Sequence, residues 1–378
     1  MSHNVVEEIN STIKNLIEGL NLRLDKINSE DSEIGIELNA DDIMLRYSTD
    51  LIVSCFYKQY QLIDYSAKKD RCSAQVKRGL DASLHPITRL STSMPLLSPI
   101  VQWLAENFHE AGKLGGVLFN FIRAQTSLNL AARLEIAQAK EKGVGLNPDN
   151  LTLADGRVFK RNMIDAFIDN YHEGKITKNE YLNSSFFLFL AGSKTVADAL
   201  SRTLYYLAIN QNVQKKLRDS LITDGTESEY LSWCIYEVLR LEPPVPVGGS
   251  RRVERDIAVE GGVVPRGTFV STPSYVIHRL PEYWGEESHL FKPERWANKK
   301  EFHPAQYMPF GMGPRGCVGK EFAMFAMRKV IHSLLIRYKF ERCNKTSDSP
   351  LLMAPFFVYV KRWAPTFVRM SKLDKQID

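Results

Sequence analysis

The sequence predicts a mainly α protein with small β-sheets, and three observations carry the prediction. Apolar residues recur at helical spacing through most of the chain. One short region, Ser250 to Tyr275, instead alternates Val and Ile between Gly and Pro turns. No internal repeat or low-complexity tract interrupts this pattern. With 378 residues, 44% of them hydrophobic and 25% charged, the chain can bury one large core or two smaller ones.

In chain order, residues 1 to 28 place Val5, Ile9, Ile13, Leu16, Ile17 and Leu20 on one helical face, and a second helical block runs from Ala40 to Tyr57. Leu84 to Ile122 is broken by Pro95 and Pro99 and is rich in Ser and apolar residues. A short helical block spans Leu130 to Lys140, before a loop at Asn147 to Asn150. Asn183 to Asn210 is the longest apolar helical pattern, and Lys194, Asp198 and Arg202 exclude it as a bilayer span. Leu231 to Leu241 is helical and halted by Pro243-Pro244. The alternating region follows, then a helix from Lys320, and Phe356 to Val360 supplies a final strand.

Composition narrows the function. A formal charge of +5 gives no support to nucleic-acid binding but is compatible with an acidic partner or an anionic membrane surface. Cys55, Cys72, Cys234, Cys317 and Cys343 are scattered without a C-x-x-C pair, so neither a disulfide framework nor a zinc site is indicated and a reducing compartment fits best. No histidine pair has metal-ligand spacing. The N-terminus is polar and no apolar run reaches the roughly 18–20 residues of a membrane span, so no signal or anchor is expected within the chain.

The chemistry centres on Met308-Pro309-Phe310-Gly311-Met312-Gly313-Pro314-Arg315-Gly316-Cys317-Val318-Gly319. Its glycines allow a flat, bulky partner to approach the backbone, and Cys317 precedes a helix whose unpaired N-terminal amides suit an anionic sulfur. A cysteine after a turn is more often a small buried hydrophobe. Gly311 to Gly316 also fits the dinucleotide pattern G-x-G-x-x-G, but Tyr307-Met-Pro-Phe makes a poor strand and Ile331 to Ile336 holds no acid. Thiolate ligation of a haem iron by Cys317, with Arg315 as partner for a propionate, fits the loop better.

The arrangement Phe310-x-x-Gly313-x-Arg315-x-Cys317-x-Gly319 resembles the haem-thiolate signature of the cytochromes P450. Other segments resemble the family in the expected order. Ala191-Gly192-Ser-Lys194-Thr195 is similar to its oxygen-binding groove, in which the threonine and a neighbouring acid help deliver protons; Lys194 stands here in the acid's place. Glu237-Val-Leu-Arg240 spaces an acid and a base at i and i+3, a pair that contributes only about 0.2–0.5 kcal/mol when exposed. Trp233, Val238, Leu239 and Leu241 surround it, so part of it is buried and needs a third partner. Phe291-Lys-Pro293-Glu-Arg295-Trp296 resembles the segment that supplies one, and the resemblance makes Glu237, Arg240 and Arg295 a structural triad bracing the cysteine loop. Arg251 stands where the family places a propionate-pairing arginine, with ordinary solvation as the alternative, and His278-Arg279 resembles a structural hydrogen-bonding stretch rather than an iron ligand. Arg46-Tyr-Ser-Thr-Asp50 resembles a run that packs behind the haem, and the Leu84 to Ile122 segment a substrate-admitting lid.

The resemblance, closest to the microsomal drug- and steroid-oxidising and thromboxane-synthase-like class, implies a single domain over residues 1–378 with a cytochrome P450 fold. The family's N-terminal anchor, first sheet and early helices have no counterpart in these residues, so the fold is expected to be N-terminally truncated. It further implies heme b, a catalytic groove at Ala191, Gly192 and Thr195, and Cys317 as metal ligand. Phe310, Gly313, Arg315, Gly319 and Arg251 would contact the cofactor. Electrons would come from an NADPH-cytochrome P450 reductase and cytochrome b5. The substrate would be an apolar small molecule, and the location the cytosolic face of the endoplasmic reticulum membrane, or the cytosol for a chain without an anchor. The alternative is a catalytically silent haem-binding or interaction protein.

Overall fold

The computed structural model describes residues 3–26, 35–57, 151–152, 158–159, 165–347, 351–353, 360–362 and 365–373. The lid-like segment from Leu84 to Ile122, the helical block at Leu130 to Lys140, the Asn147 to Asn150 loop and Phe356 to Tyr359 lie outside the described residues. Two compact units emerge, one formed by residues 1–36 and 42–197 and the other by 37–41 and 198–378.

In the first unit, α1 (His3–Asp25) buries Val5, Ile9, Ile13, Leu16, Leu20 and Leu24, the three-to-four-residue recurrence that makes a helix amphipathic. It packs against a single π-helical segment, Val53–Tyr57, that continues α2 (Ala40–Ile52). The helix expected to reach Tyr57 therefore changes pitch after Ile52, in a stretch whose Val53, Ser54, Cys55 and Phe56 are all buried. Within α2, Arg46 is 1% exposed and paired with Asp42 at 2.8 Å, four residues away on the same face. The unit also contains the two-stranded pair β2 (Leu151–Thr152) and β3 (Val158–Phe159), α3 (Asp165–His172) and the first part of α4 (Lys178–Ile209). α4 starts on the Thr177 hydroxyl, which accepts from the Glu180 amide at 3.2 Å while Glu180 Oε2 accepts from the Thr177 amide at 2.7 Å, a reciprocal cap that holds the Glu180 pKa below its usual value.

The second unit continues α4 from Asp198 and adds α5 (Gln211–Asp224), α6 (Glu229–Leu241) and, later, α7 (Lys320–Leu335). α6 is capped by Ser228, whose Oγ accepts from the Leu231 amide at 3.1 Å. It buries Leu231, Ile235, Val238 and Leu239 and packs on α5, on α7 and on the 3₁₀ segment Pro293–Glu301. The alternating region forms two antiparallel pairs, β4 (Arg251–Arg252) with β7 (Phe269–Val270) and β5 (Ile257–Val259) with β6 (Gly262–Val264). A further antiparallel pair joins β9 (Leu351–Met353) to β10 (Val360–Arg362).

Two features were not expected from the sequence. α5 carries a polar pattern and buries only Gln214, Leu217 and Leu221. Its anchor is the Gln214 amide, which donates to the Leu207 and Phe340 carbonyls at 2.9 and 2.7 Å and accepts from the Phe340 amide at 3.0 Å. A three-stranded sheet orders β1 (Ile36–Asn39), β11 (Phe367–Lys372) and β8 (Tyr338–Glu341), with Met370 opposite Phe340 in the antiparallel pair. Beside it, Asp41 Oδ2 accepts from the Thr366 amide at 2.9 Å across 325 residues of sequence, while Asp41 Oδ1 accepts from the Ser201 hydroxyl at 2.5 Å. Arg202 donates to Thr366 Oγ1 and pairs with Glu242 at 3.0 Å. The fold is thus mainly helical with small antiparallel sheets, and no described helix is long and apolar enough to cross a membrane.

Candidate active site

A buried salt-bridge cluster and an exposed cysteine loop share the second unit. Glu237 and Arg240 are both 0% exposed on α6. Isolated, either charge would be costly there, so each must be compensated in full. Arg240 Nε and Nη2 grip the Glu237 carboxylate at 2.9 Å each. Arg240 Nη1 donates to the carbonyls of His278 and Ser288 at 2.7 and 2.6 Å, and Nη2 also donates to Leu290 at 3.2 Å. All five guanidinium donors are therefore used. Arg295 Nε adds a bond to Glu237 Oε1 at 2.8 Å, and its remaining nitrogens reach the carbonyls of Trp284, Glu287 and Leu290.

Two more donors close on Glu237 that were not expected from the sequence. The Lys292 amide donates to Oε1 at 3.0 Å, and the indole of Trp296, only 1% exposed, donates to Oε2 at 3.0 Å. A signal for the second was present: a tryptophan directly after Arg295, once buried, must find an acceptor for its ring N–H. Trp296 also stacks edge-on against Tyr307, ring centroids 4.5 Å apart, and Tyr307 donates to the Tyr236 carbonyl at 3.1 Å. The cluster thus reaches the residue before Met308.

From Met308 the chain is held mainly by its own backbone. The Gly311 amide donates to Met308 O at 3.0 Å, the Gly316 amide to Gly313 O at 2.9 Å, and the Cys317 amide to Phe310 O at 2.8 Å. Gly311 and Gly313 adopt φ of 70° and 68°, in the left-handed region where a β-carbon is strained. The Met308 amide donates to Nε2 of His278 at 2.9 Å, so that nitrogen is occupied and His278 is 0% exposed. The helix α7 then begins at Lys320 with Gly319 as its N-cap, and the Ala323 amide donates to Gly319 O at 2.8 Å.

Cys317 itself is a free, exposed thiol rather than a buried hydrophobe. Val318 beside it is 93% exposed and Met312 51%. A β-carbon on Gly319 would lie 3.9 Å from the sulfur, so no branch stands over it. An unscreened sulfur with exposed apolar neighbours and an exposed arginine, Arg315, fits a flat apolar group carrying an anionic edge and ligated through its metal. Arg251 is also exposed, its Nη1 donating to the carbonyls of Gly249 and Ser250 at 3.3 and 3.2 Å.

In the first unit, Ala191, Gly192, Lys194 and Thr195 lie on α4, and the Thr195 hydroxyl donates to the Ala191 carbonyl at 2.7 Å. The notch at Gly192 is filled from α2: a β-carbon there would meet Ile52 Cδ1 at 2.7 Å. Glycine thus lets the two helices pack closely here, and a β-carbon would require the Ile52 side chain to shift. The structure brings Glu237, Arg240 and Arg295 into one cluster, and Phe310, Gly313, Arg315, Cys317 and Gly319 into one loop.

Fold and site together define a helical protein that displays a backbone-anchored thiol at the head of a helix and buries a glutamate–arginine cluster in the same unit. The family model of cytochrome P450 matches residues 2–363, and the chain belongs to that family. Cytochrome P450 3A9 of Rattus norvegicus is 36% identical over 182 residues, which is 44% of this chain and 35% of that protein. Cytochrome P450 3A5 of Homo sapiens is 31% identical over 212 residues, 51% of this chain and 42% of that protein. The putative cytochrome P450 CYP13A8 of Caenorhabditis elegans is 28% identical over 340 residues, 84% of this chain and 65% of that protein. The chain spans about a third to two thirds of the length of these curated relatives. Family membership implies a haem with thiolate ligation.

Proposed function

We propose that this chain is a haem-thiolate monooxygenase that inserts one oxygen atom from dioxygen into an apolar organic substrate. The observation that carries the proposal is the free, exposed Cys317 sulfur in a loop fixed by backbone hydrogen bonds, within a chain matched by the cytochrome P450 family model. Bound heme b would supply the oxygen-activating chemistry, fed by electrons from a reductase. The chain's own residues do the rest. Cys317 would hold the iron, Phe310 would pack against the group, and Gly313 and Gly319 would let its flat face approach the backbone. Arg315 and Arg251 would pair with its propionates. Glu237, Arg240 and Arg295 fix the segment that leads into the loop.

Ala191 and Thr195 would form the groove beside the reacting oxygen, while Gly192, whose own notch is filled by Ile52, would let α4 hold its place against α2. The Thr195 hydroxyl uses its proton on the Ala191 carbonyl and keeps oxygen lone pairs for a second donor. Lys194 puts a cation where a carboxylate would exchange protons near neutral pH, so proton delivery at Thr195 is weakened. Lys194→Glu should raise the fraction of NADPH electrons recovered in product; equal ratios in both proteins would remove Lys194 from the account. The redox partners would be NADPH-cytochrome P450 reductase and cytochrome b5, at the cytosolic face of the endoplasmic reticulum membrane.

The test is the carbon monoxide difference spectrum of the reduced, haem-reconstituted protein. A thiolate-type band supports the proposal, and haem bound without that band, or no haem bound, defeats it.

A further inference from the structure

The haem-thiolate reading leaves one buried imidazole without a task. His278 is 0% exposed, and its backbone carbonyl is held by Arg240 Nη1 at 2.7 Å, so α6 fixes where the ring begins. The ring lies 5.3 Å from that of Tyr307, and its Nε2 accepts the Met308 amide at 2.9 Å. Among the described residues, His278 is the one side chain hydrogen-bonded to the backbone of the segment from Met308 to Gly319. Two backbone bonds then relay the fixed point: Met308 O accepts from Gly311, and Phe310 O accepts from Cys317.

We infer that His278 is a positioning residue for Cys317, acting as a neutral Nδ1–H tautomer whose Nε2 pins the amide from which the thiol loop springs. The tautomer follows from donor and acceptor roles. A nitrogen that accepts an amide proton cannot carry its own, so the ring proton sits on Nδ1. That atom is buried and completes no hydrogen bond of normal geometry, with the backbone of Arg240 and Leu239 as the groups that draw on its proton. Packing alone does not account for this choice of residue, because an apolar side chain of similar size would leave no poorly paired donor in the core. The histidine retains that unfavourable proton in exchange for an acceptor at the far side of the ring. Burial, and then the Arg240 and Arg279 charges, push the His278 pKa down to about 4, against the opposing pull of the Arg240 and Leu239 backbone, which keeps Nε2 available near neutral pH. The inference depends on the haem-thiolate reading only for what Cys317 holds, and not for how Cys317 is held.

The test therefore starts without haem. Imidazole ¹⁵N spectra of the wild-type chain should show a neutral ring protonated on Nδ1; a ring protonated on Nε2 overturns the inference with no mutation made. Two substitutions then separate acceptor from volume. His278→Gln can place Oε1 where Nε2 stood, whereas His278→Asn reaches only as far as Nδ1. Hydrogen exchange of peptides covering Met308 to Cys317 should remain as in the wild type for Gln and quicken about tenfold or more for Asn, since a buried amide has lost its acceptor. The buried amides of α6 serve as the internal reference. Unchanged exchange in both variants, equal loosening in both, or loosening spread evenly over α6 would each overturn the inference. In reconstituted protein, Asn alone should shift the carbon monoxide band from thiolate to thiol type; a wild type that takes up no haem would defeat the functional reading while leaving the exchange result to decide this one.

Discussion

The Glu237 cluster and the Cys317 loop lie in the same unit and are built in opposite ways. Around Glu237, five donors from Arg240, Lys292, Arg295 and Trp296 converge on one carboxylate, and every polar atom is answered by another. Around Cys317, the sulfur is exposed, its neighbours are glycines and exposed apolar side chains, and the order comes from backbone bonds and one imidazole. The first arrangement uses burial to make charge rigid; the second keeps side chains away so that a partner can come close. The lesson is that rigidity and access are assigned to different residues, and the segment from Trp296 to Met308 passes the one to the other.

The largest effect should come from the exposed end. Cys317→Ala should abolish thiolate ligation entirely while leaving the helical circular dichroism and melting temperature of the haem-free chain near wild type, because no core contact is lost. An unchanged haem spectrum would break the comparison at once. Arg240→Ala should do the reverse: it strands the Glu237 carboxylate at 0% exposure, a loss of about 3–5 kcal/mol in denaturant unfolding. Wild-type stability in a soluble variant would remove the cluster as the brace.

Acid should act next, and through the joint between the two regions. His278 titrates at about 4 in the folded chain, below the ordinary 6.5, because it is buried and faces the Arg240 and Arg279 charges. Between those values the unfolded chain binds more protons than the folded one, so stability falls as pH drops from 6.5 to 4, by about 3 kcal/mol in all, and is unaffected by this group above that window. Tyr307, against the same ring, is pushed well above its ordinary value by burial and does not titrate there. His332, held down by burial and then by Lys329 and Arg337, acts in the same direction, so the His278 share is the difference between wild type and His278→Gln across a pH series of urea titrations. Equal slopes would contradict the assignment. The smallest effect is Trp296→Phe, which keeps the ring against Tyr307 but removes one of five donors to Glu237 and should cost about 1–2 kcal/mol; no change would show that four donors suffice.

Much of this was legible from residue order. The helices with apolar faces, α1, α4, α6 and α7, follow from spacing, and the loop and the Glu-x-x-Arg pair follow from residue types that have few other uses in that sequence order. What escaped did so for definable reasons. α5 is anchored by the polar Gln214, which carries no hydrophobic signal. β1 and β8 are four residues each, too short to alternate convincingly, and they owe their pairing to β11, far away in sequence. The link from His278 to Met308 joins two residues thirty positions apart through a backbone amide, for which no residue type gives a sign.

The clasp of Asp41 on the Thr366 amide has a consequence for biosynthesis. A ribosome emits the chain from its N-terminus, so the strand Ile36–Asn39 leaves the exit tunnel long before its partner Phe367–Lys372. Until then the early strand is an unpaired edge, and contacts of such long sequence separation close slowly. A nascent chain stalled before Thr366 would carry an Asp41 carboxylate with Ser201 and Arg202 assembled around it and no amide to receive, which is the kind of half-made surface that chaperones bind.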